Sequence, residues 1–550
     1  MTTPTPTSKP VNRLVLLYGE PKYYHTIIQL KELRELTNNY VSVIEVNNIE
    51  KVLEETTISS IYFDHFHICI EFGKGVNPNM NKISEFLKSY ADMIGKVGDI
   101  GYHIHFQPGK EWSQYSQEEL NEYSNFLKTL KEVAGEKVTH CSIVNKYDMD
   151  AINLTGRDEL EQLRKEIQSD IAYWENLKTL DYSESSLRSF PAIDLPETLE
   201  NLNIGGGYAL NTLSGFKMPR GLKVLVAGQG AIATLDNVQF PDTLERLELQ
   251  DNKIYFLEYT PLPQGLRHLD LSRNRLEDIW NVNWPSHLES LNLGFNPIEN
   301  MRGVKLPSKL KYLELSNLPS ESMAGVKFPD SLQVLNLQSS MTSARGLKLP
   351  SNLKVLVLTG NGINSVNPLK LPNSIEILYL NSNNIKTLNK VSLPPTLREL
   401  YLGDNLLTTL KNVVFPESLE VLDLENDPES YKNEKQIITL RDIILPPNLK
   451  ILRLGYHGIR ILENYEFPNS LRHLSLAYNE LKYVRNLKFG DQLKVLDLSG
   501  NPELSFLENF VLPESLTELR VSPSLIPNLP AYIIERANNN SLLLKKTMDL

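Results

Sequence analysis

At 550 residues the chain is longer than one hydrophobic core supports, and its 41% hydrophobic and 22% charged content suits an ordered soluble protein. A net charge of −11 with both signs interspersed argues against an electrostatic nucleic-acid binder, which needs a basic face. No nucleic-acid partner is expected on that ground, and no run of 18 apolar residues is present to span a membrane, so no membrane partner is expected either.

Residues 1–11 (MTTPTPTSKPV) are polar and Pro/Thr-rich and read as a disordered tail without the apolar segment of a secretory signal. Cys69 and Cys141, the two cysteines, point to a reducing setting, so the expected location is intracellular, cytoplasmic or nuclear and not secreted. Residues 12–173 alternate candidate strands (Leu14–Leu17, Val41–Val46, Ile61–Phe72, Tyr102–Phe106, Val138–Val144) with helical patterns (His25–Leu36, Ile49–Glu55, Lys82–Ile94, Gln117–Val133, Arg157–Tyr173). Phe66, Ile68, Ile70 and Phe72 share one strand face, and His65, His67, Cys69 and Glu71 the other. One apolar and one polar face is what helices packed on a single side produce, whereas a doubly covered sheet has continuously apolar strands. The favoured reading is therefore irregular, larger βα turns that run directly into a solenoid beginning near residue 174; the alternative is a separate α/β domain.

From residue 174 to 523 the chain repeats with a period of about 22 residues. Prolines mark it, as in Pro263, Pro285, Pro307 and Pro329, and continue to Pro513 with Gly490 in one proline's place. Aliphatic residues follow each landmark at +3, +6 and +8, as Leu266, Leu269 and Leu271 follow Pro263. The Leu-x-Leu step predicts a short strand with one buried face. Eleven residues past the landmark an Asn recurs, at Asn252, Asn274, Asn296, Asn361, Asn383, Asn405, Asn479 and Asn501. An inward Asn in turn after turn must have its amide satisfied, and backbone groups of neighbouring turns are the available partners. The Asn is missing at Gly207, Gly230, Leu318, Ser340, Asp427 and His457, where looser turns are expected. Eight extra residues after Pro416, around Asp427 to Lys435, read as an inserted loop. Residues 524–550 leave the period, and Pro530 to Ala537 reads as a short helix capping the last turn.

The segments Leu266–Leu276, Leu353–Ile363, Leu397–Leu407 and Leu471–Leu481 carry LxxLxLxxNxϕ nearly intact. They resemble the leucine-rich repeat. The 22-residue length resembles the short intracellular class typified by the regulatory subunit of protein phosphatase 1, and the phrase LP-x-S-L resembles FNIP repeats and some bacterial effector repeats. The resemblance implies an α/β solenoid: a leucine-rich repeat horseshoe of about sixteen turns with a parallel concave sheet, preceded by the irregular βα region. It also implies protein–protein interaction, with a phosphatase regulatory subunit or a ubiquitin-ligase substrate receptor as narrower forms. No F-box signature is evident for the latter.

Catalytic motifs are not found, and Gly205 to Gly207 sits inside a repeat turn. His65/His67 and His103/His105 place paired imidazoles on strand faces, an arrangement that can hold zinc. No carboxylate or thiol set completes four ligands, so the reading is no metal, no cofactor, no small-molecule substrate and no enzyme, with a metal-dependent enzyme as the lesser alternative. The functional expectation falls on the residue between the second and third repeat leucines, which points away from the core. This column is acidic early (Glu248, Asp270, Glu314) and apolar-aromatic in the middle (Val357, Tyr379, Tyr401), then charged at Asp423 and Arg453. With Val355, Ile377, Val421 and Ile451 two residues earlier, the middle makes an apolar strip suited to anchoring a protein partner. A non-catalytic scaffold binding another protein on this face is the leading expectation.

Overall fold

The computed structural model describes residues 12–18, 40–45, 65–72, 80–89, 91–94, 97, 99–106, 117–144, 174–184, 194–258, 260–319, 325–428, 440–441, 443–508 and 511–546. The expected tail at 1–11, the helices at 25–36, 49–55 and 157–173 and most of the loop after Asp427 lie outside them. The chain forms two compact units, one ending at Arg275 and taking in Val282–Leu288, the other comprising Leu276–Asn281 and residues from Glu289 onward.

The first unit opens with five parallel strands, β1 (Asn12–Tyr18), β2 (Tyr40–Glu45), β3 (His65–Phe72), β4 (Asp99–Phe106) and β5 (Val138–Val144). Their order is β2–β1–β3–β4–β5, so successive stacking, as a solenoid requires, begins only at β3. β5 then pairs with β6 (Thr179–Asp181), the first repeat strand. Ile68, Tyr102, Cys141, Leu180 and Leu202 stand in register on consecutive strands and are all buried. The helical pattern at 82–94 is broken in two, α1 (Met80–Ser89) and α2 (Ala91–Ile94), while α3 runs over Gln117–Ala134. Ile83, Phe86 and Leu87 of α1, and Tyr123, Phe126, Leu127 and Leu130 of α3, are buried at the i, i+3, i+4 spacing of an amphipathic helix. Trp174, standing where later turns carry Pro, donates its Nε1–H to the Tyr102 hydroxyl at 3.0 Å, and Tyr102 meets Phe126 edge-on at 6.4 Å. Helix, sheet and first repeat turn share that aromatic core.

Each repeat contributes a strand of three or four residues with a buried leucine at its second position, five such strands in the first unit and eleven in the second. A single turn cannot bury its own apolar face, so the stack is stabilised by neighbours. The landmark proline begins a β-turn. Its carbonyl accepts the N–H of the leucine three residues on, 3.1 Å from Pro263 to Leu266 and 3.1 Å from Pro394 to Leu397. The hydroxyl two residues after the proline is shared between carbonyls of the preceding turn: Ser374 lies 2.7 Å from both Ser351 O and Leu353 O, and Thr243, Thr396, Ser418 and Ser470 do the same. That is the physical content of the LP-x-S-L phrase.

Most turns bend at one or two left-handed corners. The first falls just before the inward Asn, at Asp251, Arg273, Phe295, Ser382, Asp404, Tyr456 and Tyr478, with φ between 52° and 59°. A non-glycine residue there costs about 1 kcal/mol or more. It is held because its N–H reaches the next turn's carbonyl, as Phe295 reaches Ser316 at 2.8 Å. The second corner, four residues before the landmark, carries Gly or Asn at Gly215, Asn237, Gly303, Gly325, Gly346, Asn412, Asn464 and Asn486, the residue types with the least penalty at positive φ. Approaching it, Ser, Thr or Asn caps the N–H two residues on, as Asn300 caps Arg302 at 2.8 Å and Thr387 caps Asn389 at 3.0 Å. Ile461 and Tyr483 replace these caps late in the chain, and there a second three-stranded parallel sheet forms instead (Ile461–Glu463, Tyr483–Arg485, Leu507–Glu508).

At the C-terminal end, α4 (Ala531–Asn538) buries Ile533 and sends the Arg536 guanidinium to Leu516 O at 2.6 Å and Pro513 O at 3.1 Å. A final strand, Leu543–Lys546, pairs with Glu518–Val521 and covers the sheet edge, a closure that the residue pattern past the helix does not announce.

Candidate partner-binding face

The inward Asn is the first polar device behind the face. Asn383 Nδ2 reaches Leu358 O, Leu380 O and Asn381 O at 2.9, 2.9 and 3.0 Å, and its Oδ1 accepts from Asn361 N and Ile363 N at 3.0 and 2.9 Å. Asn252, Asn274, Asn296, Asn361, Asn405, Asn479 and Asn501 likewise donate to backbone carbonyls. Turns without Asn are filled rather than loose where a substitute is present. Ser340 Oγ donates to Leu315 O at 2.5 Å. Buried His457 places Nε2 2.6 Å from Leu424 O. Asn426, one residue early, accepts from Asp404 N at 2.8 Å in place of Asp427.

The outward column occupies the third position of each strand, and its polar members have a local role that sequence reasoning missed. Each carboxylate or amide accepts the N–H two residues on. Asp181 caps Ser183 at 2.9 Å, Asp270 caps Ser272 at 2.8 Å, Glu314 caps Ser316 at 2.9 Å and Asp423 caps Glu425 at 3.0 Å. Asn203, Asn292, Asn336 and Asp497 repeat the contact. Glu248 instead pairs with Arg246 of its own strand. Asp, Asn and Glu at this step therefore guide the chain into the first corner, and the early acidic run is structural as well as electrostatic. The signal was in the spacing, Asp270 two residues before Ser272 and Asp497 two before Ser499.

The uncapped members stand out in the second unit. Val357, Tyr379 and Tyr401 are in register on neighbouring strands, with Val355, Ile377 and Glu399 beside them in the earlier column. The tyrosine rings stack, centroids 4.5 Å apart and planes 10° from parallel. Tyr401 donates its hydroxyl to Glu399 at 2.8 Å, and burial together with that carboxylate pushes the phenol well above its usual pKa. Val355, Val357, Ile377, Val421 and Ile451 are all half-buried, as are Tyr379 and Tyr401.

Beside the strip lies an ion-pair set. Asp423, buried, receives Arg453 Nη1 at 2.7 Å on the oxygen not used by its cap. Burial, then the neighbouring Asp423, raises the Glu425 carboxyl above the usual carboxylate range, with Arg453 opposing. Three strands beyond Asp423 the pattern recurs: Asp497 caps Ser499 and receives Arg520 at 3.2 Å. Tyr456 and Tyr478, at the first corner, stack at 4.6 Å and 3°, bordering the same turns. Sequence reasoning overlooked them; the column just before the inward Asn was the place to look.

Among the described residues, no group of three or more His, Cys, Asp or Glu is placed to hold a metal ion. The backbone register sets Cys69 opposite His103 and Glu71 opposite His105, but the side chains of His65, His67, His103 and His105 lie outside the described residues. Cys141 is buried, its Sγ 2.8 Å from the Tyr102 hydroxyl, and is not exposed for chemistry.

An FNIP repeat model matches residues 364–405, and a leucine-rich repeat model matches residues 285–300. The parallel strand per turn and the inward Asn already described agree with those matches. The chain carries leucine-rich repeats and has their solenoid fold. The fold is similar to that of CroV588, described as a circular LRR protein, at TM-score 0.51 and 19% identity over 92% of this chain and 77% of that one. The leucine-rich effector YopM from Yersinia pestis aligns at 23% identity and TM-score 0.33 over 46% of this chain and 79% of that one. A chain of the Drosophila Toll–Spatzle complex aligns at 14% identity and TM-score 0.44 over 88% and 69%. No curated protein matches the sequence. Leucine-rich repeats serve as interaction modules, and the chain has the build of an interaction scaffold.

Proposed function

We propose that this leucine-rich repeat protein is a non-catalytic scaffold that captures another protein on the strand face of its second unit. The observation that supports the reading is the Tyr379–Tyr401 stack within the strip of Val355, Val357, Ile377 and Val421, in a column where many of the other members cap the backbone. Rigid aromatic pairs give large contact area at low entropic cost, and a preformed sheet has little left to order on binding. Arg453, Asp423 and Glu425 border the strip and would select for polar complementarity at its rim. Glu248, Asp270 and Glu314 contribute charge to the same column, although their main oxygen contacts are internal. The proposed setting is intracellular, supported by the two isolated cysteines.

Affinity capture from native cells with wild type and with Tyr379→Ala/Tyr401→Ala tests this. A partner retained by wild type and lost by a folded double variant is the expected result. Equal capture by both would remove the strip from the function.

A further inference from the structure

We propose that a lysine column at the second corner of the second unit docks the protein on an anionic phospholipid surface. Lys305, Lys327, Lys348 and Lys370 each stand two residues before a landmark proline, one per turn in four successive turns, and all four are exposed. Arg302 and Arg345, three residues ahead of Lys305 and Lys348, are exposed too. Among the described residues none of these six side chains makes an ion pair. Residues 300–375 hold nine Lys or Arg against three Asp or Glu, a local +6 in a chain of −11 that the whole-chain balance conceals.

Solvation of a generic repeat does not account for the column, as the neighbouring one shows. Four residues after the landmark, several opposite charges pair between turns: Lys311 with Glu289 at 2.6 Å, Lys354 with Glu376 at 3.3 Å, and Glu420 with both Arg398 at 2.9 Å and Lys450 at 2.7 Å. Those pairs help the stack. Four like charges one turn apart do the opposite, because neighbouring lysines repel and none of the four makes an ion pair among the described residues. Folding gains nothing from the arrangement, and an external anion relieves it.

The apolar members of the same face select the kind of anion. The lysine column continues into Val414 and Ile444, which are 80% and 82% exposed, and Trp280, 51% exposed, lies over Gly303 at its other end. No aromatic side chain is interleaved with the lysines in their column, as stacking on nucleic-acid bases would need. Nor does so protruding a valine–isoleucine pair offer the pocket by which a peptide is held. A bilayer surface needs no pocket: its headgroups take the cations, and its interfacial zone takes aliphatic and Trp side chains.

The experiment is flotation of the full chain with phosphatidylcholine vesicles, with and without 30% phosphatidylserine. Binding is expected only to the anionic vesicles, falling at high salt. Each lysine near such a surface is worth about a fivefold factor in partitioning, so Lys305→Gln/Lys327→Gln/Lys348→Gln/Lys370→Gln together should lower it by roughly 100-fold or more. The same variant should melt no lower than wild type, since it removes repulsion, and this keeps a folding defect from imitating the result. Val414→Ser/Ile444→Ser should weaken binding several-fold. Equal flotation with neutral and anionic vesicles, or undiminished flotation of the quadruple variant, overturns the proposal. So does capture of an RNA oligonucleotide or polyglutamate through these lysines by a protein that ignores vesicles.

Discussion

Asp423 is held from two directions at once: one oxygen accepts the Glu425 N–H at 3.0 Å and the other receives Arg453 Nη1 at 2.7 Å from the next strand. A corner of the chain and a cross-strand ion pair thus share one buried carboxylate. Asp423→Ala removes both and should cost about 2–3 kcal/mol by chemical denaturation. Asp423→Asn keeps an oxygen for the cap and should cost less than half of that. Equal costs would mean that the cap contributes nothing.

The stacked tyrosines carry the proposed binding function and only a modest part of the stability. A stacked pair contributes about 0.5–1.5 kcal/mol beyond its buried area, so a double-mutant cycle on Tyr379 and Tyr401 should give a coupling in that range. Partner capture should fall far more steeply than stability does.

Asn383 satisfies groups of its own turn and of the turn before it. Asn383→Ala leaves its buried carbonyl partners and two N–H donors without it, and a loss of about 2–4 kcal/mol is expected from urea unfolding. Substitution at the exposed Asn384, next in sequence, should change stability by less than about 0.5 kcal/mol.

His457 stands in the Asn position of its turn, and burial pushes its imidazole down to about 4 from 6.5. The unfolded chain binds the proton more readily, so the native state loses stability as pH falls from about 6.5 to 4, by at most about 3 kcal/mol. Above pH 7 both states are neutral and the effect vanishes. The repeat-like variant His457→Asn should therefore gain on wild type steadily between pH 7 and 4.5 in thermal melts. A constant difference across that range would show that His457 takes up its proton in the fold as readily as in the unfolded chain.

The repeat strands were legible because their signal is local. Leu266, Leu269 and Leu271 declare a strand and its buried face within six residues, and a fixed period tells each turn where its neighbour lies. The Asn column was legible for the same reason. The β2–β1–β3 order was not, since strands of the N-terminal region pair with partners dozens of residues away and nothing local names them. The caps at Asp270, Glu314 and Asp423 were misweighted. A carboxylate on an outward column reads as free charge until the corner two residues later is seen to need it.

By itself, then, the sequence determined the coil: its period, its parallel strands, its buried leucines and asparagines, all set by short-range patterning repeated many times. The tertiary structure decided what each outward residue does. Stacking turns brings residues 22 apart into contact, and only there do two tyrosines become one surface, an aspartate become a cap with an arginine on it, and four scattered lysines become a column of unrelieved charge.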